Sequence, residues 1–156
     1  MSELQIRRRI LGVDFGRVRI GIAISDELGL LAHPLKTVSS SKEAMKEIAT
    51  VVREKDVERV VVGLPRHMDG RMGESAEEAL ALARKLRELL PCEVVTWDER
   101  LTTVAANRAL RESGQRTRES RKIVDQVAAQ MILQGYLDGL QSGHFLDPER
   151  EAHQDH

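Results

Sequence analysis

The sequence predicts a single α/β domain built on a mixed sheet. Three observations carry that expectation: apolar residues alternate strictly in the first part of the chain, the period becomes helical after Ser40, and the short apolar run "RVVVGLP" lies between two helical stretches. A chain of 156 residues can bury a sufficient core without disulfides to staple it.

Taken in order, Ile10 to Val13 forms a strand that meets "DFGR", and Val18, Ile20, Ile22 and Ile24 form a second, joined to the first by a short turn at Phe15 and Gly16. The opposite face of the second strand carries Arg19, Gly21, Ala23 and Ser25. Apart from the arginine these are small, which calls for the close approach of a helix or a ligand. "LLAHPLKTV" is a third, weaker strand, because Pro34 fits only an edge or a bulge. "SSSKEAMKEIATVVREKDV" reads as a helix with Ser40 and Glu43 in capping-box spacing and an apolar stripe of Ala44, Ile48, Val51 and Val52. "RVVVGLP" has the continuous apolarity of a strand covered on both faces, ended by Gly63 and Pro65. After the loop "RHMDGRMG", Ser75 and Glu78 open a second capped helix that runs through Leu90 and stops at Pro91. "EVVTWDE" is a fifth strand. Residues 102–140 read as helical with a break at "ESGQRT", where Gly114 can cap the first piece. One domain over residues 1–143 is expected, followed by a loose polar tail over 144–156.

Net charge excludes little. The 24 Lys and Arg nearly cancel the 25 Asp and Glu, so no overall basicity announces a nucleic-acid partner. Cys92 stands alone, which excludes an internal disulfide and a cysteine-rich zinc site. No apolar run is long enough to span a membrane, and Asp14, Arg17 and Arg19 interrupt the only stretch that a signal peptide could use. A reducing, cytoplasmic setting is therefore expected.

Three acids stand out against apolar surroundings. Asp14 closes the first strand on the side of Ile10 and Gly12, at the carboxyl end where open sheets bind ligands. Glu99 holds the corresponding place after the fifth strand. Asp125 heads a helical face shared with Ala128, Ala129, Ile132 and Tyr136. Together they would repel one another unless a cation neutralised them, and oxygen-only donors suit Mg²⁺ or Mn²⁺. Each also has a local reading. Asp14 can cap its own turn through the Gly16 N–H, Glu99 can pair with Arg100 or Arg108, and Asp125 can pair with Arg121 or Lys122.

The segments "GVDFGRVRIGIAISD", "VVVGLPRHMDG", "TWDERLTT" and "RKIVDQVAAQMILQGYLD" together resemble the YqgF (RuvX) family of pre-16S rRNA nucleases, relatives of Holliday junction resolvases. The resemblance runs from about residue 9 to 139. It implies a ribonuclease H-like fold with a central five-stranded mixed sheet flanked by helices. It also implies that Asp14, Glu99 and Asp125 are catalytic acids that bind Mg²⁺ or Mn²⁺ in a two-metal site and hydrolyse phosphodiester bonds, with processing of the 5′ end of pre-16S rRNA as the expected task. His67 departs from the pattern, since such proteins commonly carry Asn there. It either alters substrate contacts or is a solvated loop histidine.

Substrate contacts are expected from a basic stretch that the net charge hides. From Arg100 to Lys122 the chain carries Arg100, Arg108, Arg111, Arg116, Arg118, Arg121 and Lys122 against Glu112 and Glu119, an excess of five positive charges. Arginine forks match phosphate geometry and give affinity without sequence choice; the reading set against this is a solvated helix face. Arg17 and Arg19, flanking the Asp14 turn, either steer phosphates or pair with Asp26 or Glu27. Stacking aromatics are scarce, so structured nucleic acid, pre-rRNA or branched DNA, fits better than base reading of a single strand. Monomer and homodimer both remain open. Two rivals are an ATP-binding enzyme of the sugar kinase, actin and chaperone type, which would need a second copy of the domain, and a nucleic-acid-binding factor without catalysis.

Overall fold

The computed structural model describes residues 9–101 and 117–142. Strands β1 (Arg9–Asp14), β2 (Arg19–Ser25), β3 (Ala32–Ser39), β4 (Val57–Leu64) and β5 (Glu93–Asp98) form one sheet in the order β3-β2-β1-β4-β5. β1 pairs antiparallel with β2 and parallel with β4, β2 pairs antiparallel with β3, and β4 pairs parallel with β5. Helix α1 (Ala44–Glu54) joins β3 to β4 and α2 (Glu74–Leu89) joins β4 to β5. A single 3₁₀ turn follows at Glu99–Leu101, and the long helix α3 spans Arg118–Ser142. The expected mixed five-stranded sheet flanked by helices is thus present.

Alternation along each strand divides the interior into two cores. Leu11, Val13, Ile20, Ile22, Val60 and Val62 face α1 and α2, where Ile48, Val52, Leu82 and Leu86 meet them. Ile10, Ala23, Val61, Val95 and Trp97 face α3, where Ala129, Ile132, Leu133 and Tyr136 pack. The small face of β2 is explained by this second core. The close approach comes from α3, whose Asp125 backbone lies against Gly21 and whose Leu133 Cβ lies 2.7 Å from where a Cβ on Gly12 would stand. Glutamines fasten α3 to the sheet edge: Gln134 Oε1 accepts the Ala32 N–H at 2.9 Å and the Gln130 amide donates to the Ala32 carbonyl at 3.0 Å. Pro34 sits in the edge strand β3, beside a break in the β2–β3 register, where its missing N–H costs no ladder bond.

Both expected capping boxes fail, and each for a visible reason. Ser40 donates its N–H to the Val18 carbonyl at 2.9 Å, so it extends the β2–β3 pairing by one step beyond Arg19–Ser39 and α1 starts only at Ala44. Ser75 lies inside α2, whose N-cap is Gly73, and the Glu78 carboxylate is turned outward to Arg17. Helix α2 does end before Pro91: Leu90 is already extended, as the residue before a proline prefers. Residues 102–116 with Gly114, and the tail 144–156, lie outside the described residues. No helix among the described residues is long and apolar enough to cross a membrane.

Candidate active site at the carboxyl end of the sheet

β1 is the central strand, and Asp14 is its last residue, with only 5% of its surface exposed. In register it stands opposite Gly21 of β2, and one step beyond the Val13–Val62 pair it reaches the level of Gly63 on β4. A carboxylate on the central strand is therefore flanked by two residues without side chains, all three facing α3. What fills the space over these glycines defines the site. Over Gly21 lies Asp125, its carbonyl carbon 2.5 Å from a built Cβ position. Over Gly63 lie Ile132 and the Glu99 carboxylate, whose Oε2 is 3.0 Å from the corresponding position. The three acids singled out in the sequence thus arrive at one end of one face of the sheet, from β1, from the 3₁₀ turn after β5 and from the first half of α3.

Glu99 is 2% exposed, and its Oε2 takes no hydrogen bond from the described residues. The local partner proposed for it, Arg100, turns the other way. Arg100 Nη2 and Nε reach Asp98 Oδ2 at 2.6 and 2.9 Å, and the carboxylate beside it keeps this guanidinium more firmly protonated than usual. Arg108 lies outside the described residues. For Asp125 the observed partner is neither Arg121 nor Lys122: Arg19 Nε donates to Asp125 Oδ2 at 2.8 Å, tying β2 to α3, with 24% and 18% of the two side chains exposed. In the present arrangement no three acidic, histidine or cysteine side chains among the described residues are grouped closely enough to hold a metal ion.

The expected pairing of Arg17 and Arg19 with Asp26 or Glu27 is corrected. The arginines stand at or just before the start of β2 and the acids beyond its end, a strand length apart; Asp26 instead accepts the Leu30 N–H at 2.8 Å, and Glu27 lies 3.6 Å from Arg9. Arg17 crosses to α2 and forms ion pairs with Glu78 at 2.9 Å and Glu74 at 3.1 Å, hydrogen bonding to Glu78 above all raising its pKa. Arg121 and Lys122 are exposed on the first turns of α3, close to the Asp125 end. Arg118 begins that helix. Arg108, Arg111 and Arg116 fall outside the described residues.

Sequence reasoning missed Asp98. It is buried on the face opposite Trp97, and it gathers Arg100 and, at 3.7 Å, Arg66. Arg66 in turn donates to the Gly70 carbonyl at 2.6 Å, and Arg100 to the Met68 carbonyl at 3.4 Å. Asp98 therefore anchors the loop 65–73 beside Glu99. His67 belongs to this loop, its ring packed close to Gly73 and its carbonyl accepting the Gly70 N–H at 2.8 Å. The consecutive acids of "WDER" were the available signal, since alternation places Asp98 and Trp97 on opposite faces.

A ribonuclease H-like sheet with buried acids at its carboxyl end defines the class of molecule. Thermus thermophilus RuvC bound to a Holliday junction superposes with a TM-score of 0.53 over 88% of this chain and 97% of that one, at 15% identity, and a second RuvC structure gives 0.54. That likeness is one of fold. The model of the RuvX family, described as Holliday junction resolvase, matches residues 8–139, and this chain belongs to that family. Among its relatives is a protein of Halalkalibacterium halodurans named "Putative pre-16S rRNA nuclease", 46% identical over 134 residues that cover 83% of this chain and 96% of that protein. A Nocardia farcinica protein of the same name is 48% identical over 141 residues, covering 85% of this chain and 78% of its own length.

Proposed function

We propose that this protein is a divalent-metal-dependent nuclease that hydrolyses phosphodiester bonds in structured nucleic acid and trims the 5′ end of pre-16S rRNA. The observation that carries the reading is the framing of Asp14 by Gly21 and Gly63, with Asp125 and Glu99 over those glycines. The names of the relatives support the rRNA assignment. The donor set fits a hard cation in its chemistry: it consists of carboxylate oxygens, and two of the three side chains are deeply buried.

Asp14, Glu99 and Asp125 would hold Mg²⁺ or Mn²⁺, a pair of ions included. A divalent ion there supplies Lewis acidity toward water and toward phosphate oxygen. The chain's own part is to mount the three carboxylates on sheet and helix elements at one end of the sheet. The glycines serve the site by letting α3 and the Glu99 side chain close over the sheet beside Asp14. Arg121 and Lys122, with Arg108, Arg116 and Arg118, are assigned to the nucleic-acid backbone, while Arg17, Arg19 and Arg100 are first engaged by Glu74 and Glu78, by Asp125 and by Asp98. Affinity should then fall with salt and vary little with sequence.

The test is a cleavage panel of precursor 16S rRNA, single-stranded RNA and DNA, and four-way junctions, with Mg²⁺ or Mn²⁺, beside Asp14→Asn. Loss of cleavage on precursor rRNA in the variant, at unchanged melting temperature and retained binding, supports the proposal. Full activity of Asp14→Asn refutes the site, and cleavage confined to junctions refutes the substrate.

A further inference from the structure

We propose that Arg19 is a built-in counter-ion of Asp125, that a divalent cation displaces it from that carboxylate, and that the released guanidinium then binds a substrate phosphate. This rests on the reading of Asp14, Glu99 and Asp125 as the cation-holding acids. Arg19 is the first residue of β2, on the same face as Gly21 and therefore as Asp14 across the ladder. Its Nε lies 2.8 Å from Asp125 Oδ2, and both side chains are mostly shielded from solvent. A contact so placed is screened less than a surface ion pair.

Partial burial of the Asp125 carboxylate without a cation carries an electrostatic cost. Arginine is suited to relieve it, because its guanidinium stays charged at every physiological pH. The same positive charge opposes a second cation. A divalent ion on Asp125 would lie a few ångströms from Arg19, so loading must either break the Arg19–Asp125 bond or proceed against its repulsion. In both cases Arg19 lowers cation affinity. Once released, its planar fork is free at the site's edge, where a phosphate carries the charge and geometry it matches. The pair thereby couples the two binding events: the cation frees the group that the substrate uses, and by reciprocity the substrate favours the loaded state.

Mn²⁺ binding, followed by calorimetry on the full chain without substrate, tests this. Arg19→Gln should bind Mn²⁺ about tenfold more tightly than the wild type, the scale expected for removing a unit charge at close range. Arg17→Gln removes the same charge two positions away, where it pairs with Glu74 and Glu78, and should stay within about twofold of the wild type. A second readout concerns substrate. Adding Mn²⁺ should tighten nucleic-acid binding by Asp125-competent wild type and leave Arg19→Gln unchanged. If Arg19→Gln does not fold, Arg19→Met removes the charge while keeping an unbranched stem and should still tighten Mn²⁺ binding. Equal or weaker Mn²⁺ affinity in the folded Arg19 variant overturns the inference. When the wild type binds Mn²⁺ and Asp14→Ala does not, that result leaves the proposed site standing; binding by neither the wild type nor the Arg19 variant overturns both.

Discussion

Replacing Gly21 by alanine should injure the site through a single methyl group. The new Cβ would collide with the Asp125 carbonyl oxygen, lie 2.5 Å from its carbonyl carbon and stand 3.2 Å from its Cβ. The first two are backbone atoms of a helix, so no rotamer change relieves the contact, and either β2 or α3 must shift. Overpacking of this kind costs about 3 kcal/mol, offset by roughly 0.5–1 kcal/mol because alanine has less freedom than glycine in the unfolded chain. The net loss of about 2–3 kcal/mol corresponds to a melting temperature lower by roughly 5–10 °C for a chain of this size. Gly29→Ala is the informative contrast. It has φ +70° and nothing within 4 Å of the built Cβ, so only left-handed backbone strain of about 1 kcal/mol applies, and the melting temperature should fall by roughly 4 °C at most. Thermal denaturation by circular dichroism, with Mn²⁺ titration of both variants at 20 °C below their midpoints, separates stability from site geometry. If Gly21→Ala melts within about 2 °C of the wild type, α3 does not press on β2 as described.

Other consequences are as direct. Asp98→Ala should free the loop 65–73 by releasing Arg66 and Arg100, costing about 1–3 kcal/mol since both arginines are partly exposed, and trypsin should then cut at Arg66 or Arg71 faster than in the wild type. Ser25→Ala removes the acceptor of the buried Ile10 N–H, 2.8 Å away, and should lower stability by about 2 kcal/mol with no change in Mn²⁺ affinity. Burial raises the Cys92 thiol above its ordinary value, so less thiolate is present near pH 8 and alkylation there should be slower than for a free cysteine-containing peptide; faster reaction would contradict the burial.

The strand order was not written in the sequence, but its ingredients were. Period two in "VRIGIAIS" and the unbroken "RVVVGLP" separated a half-covered strand from one covered on both faces, because local alternation directly reflects which faces are buried. The small face of β2 correctly announced a close approach and left the visitor undecided; only the packing of α3 settles it. The capping boxes misled because Ser40 and Glu78 had stronger long-range partners in Val18 and Arg17, which spacing along the chain does not encode. For the same reason Arg19–Asp125, 106 residues apart, escaped notice, and Arg100 was assigned to substrate when Asp98 was its neighbour. Asp14, Glu99 and Asp125 were legible individually, as charges where an apolar residue was expected. Their convergence on Gly21 and Gly63 was a property of three dimensions.

The placement of Asp125 on the last described helix has a bearing on when the molecule can become dangerous. Synthesis delivers β1 through β5 first, at roughly 5–20 residues per second, and α3 only afterwards. Until that helix docks, Gly12 and Gly21 face an open groove, one of the three acids is missing, and Arg19 has no Asp125 to hold. On the proposed reading, a chain still attached to the ribosome carries an incomplete site next to the very RNA class it is proposed to process. With Asp14, Glu99 and Asp125 as the proposed cutting acids, docking of α3 and completion of the site are one event.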